Sequence, residues 1–169
     1  MKKRSLIYVA SCMALVAAMM VLLSSCTGQS SSNGLTDDQI ANRTYMTQVS
    51  QTMDTLKSDL AAFSQAVADD DIVSMNAQAD NANRTIANLA ALTPPDALKD
   101  VHSEYVSGCE ELRNALSAYL DLYNAINAAT DEEPFDYSTY EKRLSDIEDL
   151  YNSGISHLEK ADQEAKDME

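Results

Sequence analysis

The chain has 169 residues, with 27 acidic residues against 12 basic ones and a formal charge of −15. A surface this anionic is repelled by phosphate, which excludes a nucleic-acid-binding role. Its length suits one hydrophobic core better than two.

The first 25 residues read as a signal sequence. Lys2, Lys3 and Arg4 precede an apolar run from Leu6 to Leu23, and small residues follow it. The run is also just long enough to be weighed as a membrane-spanning segment. Leu23-Ser24-Ser25-Cys26 closes it. This tetrad resembles the lipobox of bacterial lipoprotein precursors: an aliphatic residue, two small residues, then the lipidated cysteine. The resemblance implies a diacylglyceryl thioether on Cys26, cleavage between Ser25 and Cys26, and fatty acylation of the new amino terminus. Two or more acyl chains anchor stably, where one binds reversibly. It also implies an extracytoplasmic, membrane-anchored protein; in a two-membrane envelope, Thr27 would not retain it at the inner membrane. Cys12 leaves with the signal, so Cys109 is the one free thiol and no internal disulfide forms. Loss of the three basic residues leaves nine against 27, a charge of −18.

Residues 26–35 are the lipidated cysteine and a Ser-, Gln- and Gly-containing tether, with a root-mean-square reach of about 15 Å. Residues 36–169 form the acidic helical domain. Thr36-Asp37-Asp38-Gln39 fits a capping box with acids in the first turn. Met46, Val49, Met53, Leu56, Leu60, Phe63 and Val67 then follow at 3–4 spacing, a seam for a helix about 50 Å long. Asp69-Asp70-Asp71 ends it. The second helix carries Ile72, Met75, Ala79, Ala82, Ile86 and Leu89; its Asn76, Asn81, Asn83 and Asn88 are weak helix formers, so packing must hold it. Ala41-Asn42-Arg43-Thr44 recurs as Ala82-Asn83-Arg84-Thr85, but the match extends no further and marks no repeat.

Thr93-Pro94-Pro95-Asp96 predicts the start of a third helix, with threonine as cap and proline in the first turn. It runs through Leu98, Val101, Tyr105, Cys109, Leu112, Leu116, Tyr119, Leu122 and Ile126. Thr93-Pro94-Pro95 with Leu98, His102 and Tyr105 resembles a stretch in uncharacterised bacterial surface lipoproteins; no activity travels with that resemblance. Thr130 to Asp136 is an acidic turn. The fourth helix carries Tyr140, Leu144, Ile147, Tyr151, Ile155 and Leu158 and is expected to fray after Lys160. The expected fold is all-α, an antiparallel up-down-up-down four-helix bundle; two helical hairpins pairing with another copy is the alternative. Gly108 and Gly154 lie about equally far from the third turn and should meet at one height. Either the backbones approach closely there or a large side chain such as a tyrosine fills the gap.

Catalytic and metal-binding patterns fail one by one. Neither His102 nor His157 stands in Glu-x-x-His, His-x-x-x-His or His-Glu-x-x-His. Asp69-Asp70-Asp71 lacks the alternation of a calcium loop. No serine sits in Gly-x-Ser-x-Gly, and adjacent carboxylates such as Glu110 and Glu111 point apart. Met46, Met53 and Met75 lie on core seams, so they read as gap fillers and not as copper ligands. No metal or other cofactor is expected, and no enzymatic activity. Tyrosines concentrate in the second half, and tyrosine suits both binding surfaces and bundle boundaries. A binding surface, if present, is expected at Tyr119, Tyr123, Tyr137 and Tyr140. The expected role is an interaction or structural module of the cell envelope, with the membrane as anchor, an envelope protein as partner and self-association as a further option. A small-ligand or ion-binding lipoprotein serving a transporter is the alternative.

Overall fold

A computed structural model describes Gly34 and residues 36–168. The signal stretch, the Ser25–Cys26 cleavage site and nearly all of the tether lie outside the described residues. Among the described residues four α-helices occur: α1 (Asp37–Ala68), α2 (Ile72–Ala90), α3 (Lys99–Asn127) and α4 (Tyr140–Asp167). Short 3-10 turns, Asp96–Leu98 and Tyr137–Thr139, precede α3 and α4. No strand occurs among the described residues. One contiguous core collects side chains from all four helices, so the domain is an all-α helical bundle.

The capping box forms as the residues imply. The Gln39 amide donates to Thr36 Oγ1 at 3.3 Å, and the Thr36 amide donates to Gln39 Oε1 at 3.0 Å. From there the α1 seam turns inward: Val49, Met53, Leu56, Leu60, Phe63 and Val67 are buried, with Met46 half-buried against them. Tyr45 joins that face and is 3% exposed. The turn after α1 places Asp70 at φ 57, a left-handed conformation that a short polar residue tolerates. Its neighbour Asp71 caps α2. The Asp71 carboxylate accepts from the Val73 and Ser74 amides, each at 3.1 Å, and from Ser74 Oγ at 2.6 Å. The triple aspartate is thus both a stop and a start signal. Alanines at 79 and 82 let α2 lie close, while Met75, Ile86 and Leu89 supply its apolar bulk. Thr85 donates across to Asp59 of α1 at 2.7 Å.

The start of α3 departs from expectation. Thr93 does not cap it; 93–95 stay non-helical, the 3-10 turn intervenes, and α3 begins at Lys99 with no side-chain cap. A residue before proline is pushed to extended backbone, and two successive prolines hold the chain out of the helix for longer. The end of α4 also departs: the helix continues past Lys160 to Asp167 because Ala161 is fully buried and Ala165 packs on the core. A charged segment with small residues on one face still has a stripe to bury.

Extensive packing joins α1 to α2, α2 to α3 and α3 to α4; α1 and α4 are not among the closely packed pairs. α1 reaches α3 through long side chains. Phe63 meets Tyr119 edge-on with ring centroids 5.7 Å apart, and Met53 sulfur lies 4.0 Å from Cys109 sulfur. The α3–α4 crossing is closer still. A Cβ placed on Gly108 would lie 2.8 Å from the Gly154 carbonyl oxygen, and one on Gly154 would lie 2.9 Å from that of Gly108. Leu112 and Leu158 flank the contact. Of the two arrangements expected at these glycines, close backbone approach is the one found.

Candidate functional site

The four tyrosines do not assemble one surface. Tyr119 and Tyr140 are core residues, at 8% and 3% exposure. Tyr119 fills the α1–α3 interface through its edge contact with Phe63. Tyr123 is half-buried, and its hydroxyl donates to the Asp70 carboxylate, tying α3 to the α1–α2 turn. Tyr137 is the exposed member, at 49%, and packs edge-on against Phe135 with centroids 5.0 Å apart. The periodicity that places Tyr119 and Tyr140 on helical seams predicts their burial; the boundary role expected for tyrosine gives way to full enclosure.

The polar chemistry concentrates at the other end of α3, where three cross-helix contacts cluster. The Tyr45 hydroxyl and His102 Nδ1 are 2.7 Å apart, linking α1 to α3. Tyr105 donates to Asp162 at 2.5 Å, linking α3 to α4. Glu104 accepts on both oxygens, from His157 Nδ1 at 2.6 Å and Lys160 Nζ at 2.5 Å. The electrostatics follow from these neighbours. Lys160, and then His157, hold the Glu104 carboxyl below its usual range. Burial pushes the Tyr45 phenol up to about 12. Tyr105 is raised further by burial, with the Asp162 carboxylate adding to it. His102 is lowered by burial.

This cluster escaped the linear reading because its members are 53 to 57 residues apart in each pair. One signal was available: matching the α3 and α4 seams about the Gly108–Gly154 contact brings Glu104 near His157. The arrangement joins helices: each of these contacts runs between side chains of two different helices. Among the described residues, no group of three or more His, Cys, Asp and Glu is placed to hold a metal. Cys109 is buried, and burial with the nearby Glu110 charge pushes its thiol up to about 12, the reverse of what a nucleophile needs. Met53 and Met75 are core residues, as their positions implied. No family model, curated protein or solved structure matches the chain.

Proposed function

We propose that this chain is a lipid-anchored, extracytoplasmic protein of the cell envelope, acting through its acidic helical domain as an interaction or structural module. The observation that carries this reading is Leu23-Ser24-Ser25-Cys26 behind a basic, then apolar, leader. Among the described residues no helix is long and apolar enough to cross a membrane, which is compatible with attachment through Cys26. The role as a module rests on the domain's interior. Its inter-helix polar groups bond one another, and its few large exposed apolar side chains, Ile40, Val73, Tyr137 and Met168, are scattered along the chain.

We also infer that successive helices alternate in direction, as an up-down-up-down bundle. Partner numbers run in opposite directions between α3 and α4: Glu104 with His157 and Tyr105 with Asp162 lie beyond Gly108 with Gly154, away from the connecting loop. Between α1 and α3 they rise together, from Tyr45–His102 through Met53–Cys109 and Phe63–Tyr119 to Asp70–Tyr123.

The test of the anchor is Cys26→Ser together with labelling by a palmitate analogue in growing cells. The wild type should take up label and sediment with membranes, and the variant should do neither. A variant that stays fully membrane-bound would sink the lipoprotein reading. Crosslinking in intact cells, with soluble Cys26→Ser protein as control, tests the role: a dominant envelope partner or self-crosslinks support a module. No capture combined with a thermal shift on adding a small molecule or ion would replace the module with a binding protein.

A further inference from the structure

Tyr45 is 3% exposed, and a buried phenol must place its proton on an acceptor. The acceptor at hydrogen-bond distance is His102 Nδ1, 2.7 Å away. The phenol therefore donates, and the ring carries its own proton on Nε2. The two rings also meet edge-on, with centroids 6.0 Å apart. This contact fastens the first turns of α1, which begins at Asp37, to the first turns of α3, which begins at Lys99.

The charged groups of this end include exposed Asp37, Asp38 and Arg43 of α1 and Asp100 of α3, and others that pair among themselves. Lys99 pairs with Asp96 at 2.6 Å. Glu104 is held by His157 and Lys160 of α4, and Asp162 of α4 accepts from Tyr105. Burial alone holds His102 below the ordinary histidine value of 6.5, with no carboxylate from any helix offsetting it. We propose that His102 is a proton-operated latch between α1 and α3, closed while its imidazole is neutral and released when Nδ1 takes a proton from solvent. On protonation both partners become donors along one line. The phenol proton must then turn away from the ring, and its bond to Nδ1 is lost. α4 is fastened to α3 differently, through Glu104, which His157 and Lys160 both grip. Acid should therefore loosen α1 from α3 while leaving α4 fastened.

Hydrogen–deuterium exchange on the full-length chain in detergent micelles, at about pH 7.5 and 5.0 and corrected for intrinsic rates, tests the latch. Residues 37–49 should exchange about threefold to tenfold faster at the lower pH, the equilibrium weight of one hydrogen bond, while residues 150–162 keep their protection. His102→Gln retains an acceptor without titrating and should abolish the difference. Tyr45→Phe should abolish it as well, which keeps the test alive if the glutamine variant does not fold. Nitrogen-15 spectra at neutral pH should show Nδ1 of His102 unprotonated. A proton on Nδ1 at neutral pH, or the same acid loosening in wild type and variants, would overturn the proposal.

Discussion

Gly108 and Gly154 show how much a missing methyl group can matter. Each lies mid-helix, where glycine costs about 1 kcal/mol against alanine. Yet a Cβ on Gly108 would fall 2.8 Å from both a backbone oxygen and a Leu158 methyl carbon. The backbone of α4 cannot retreat without repacking Leu112 and Leu158, so the clash outweighs the propensity gain. Gly108→Ala should destabilise the domain by a net ~1–3 kcal/mol, read as a lower urea midpoint at unchanged slope; a stabilised variant would refute the tight crossing. Asn83 presents the opposite case. Its amide oxygen is buried without a hydrogen-bond partner, and asparagine is a weak helix former. Asn83→Ala should raise stability by about 1 kcal/mol, a gain that thermal unfolding would register. Asn83 was identified from the sequence as a weak helix former; that its oxygen would be sealed off depends on how α2 packs and had no linear signature.

At the scale of elements, spacing was the readable quantity. The α1 seam, the α2 alanines and the Thr36 capping box all follow from local order, since each depends on residues within a turn or two of one another. The boundaries of α3 and α4 did not. Thr93-Pro94-Pro95 has the composition of a cap, but whether a threonine caps depends on backbone angles that the second proline alters. The last turns of α4 were hidden because alanine at 161 and 165 looks neutral until a neighbouring helix is present to receive it. Cross-helix bonds such as Glu104 with His157 and Lys160 belong to pairing rather than to either helix. Their pH signature has a definite sign. Folding holds the Glu104 carboxyl below its ordinary value of 4.5, so its contribution is present above that value and lost as pH falls through the folded one. Glu104→Gln should therefore flatten the stability loss on the acid side of that value while changing the slope near neutral pH little. An acid limb of unchanged steepness, followed by circular dichroism, would count against the clamp.

For the molecule as a whole, charge and connectivity set the behaviour. The chain carries −15, and the ion pairs among the described residues are mostly exposed, so net repulsion dominates. Added salt screens that repulsion between charges more than about 10 Å apart at 0.1 M. The thermal midpoint should accordingly rise between low salt and about 0.5 M sodium chloride; a fall would mean that the ion pairs outweigh the repulsion. Class and helix number were readable at this scale because four seams need one another to be buried. The tyrosine surface was not, because only the packed bundle decides which rings it encloses.

The contact at Gly108 and Gly154 also sets a register mark. Two helices whose backbones meet there cannot slide past one another without driving each backbone into the other. Glu104 lies four residues from that point, about 6 Å along the axis, and the end of α3 at Asn127 lies 19 residues away on the other side, about 29 Å. The grip of Glu104 on α4 and the acidic loop that carries Phe135 and Tyr137 therefore lie on opposite sides of one point at which the two helices hold a fixed height.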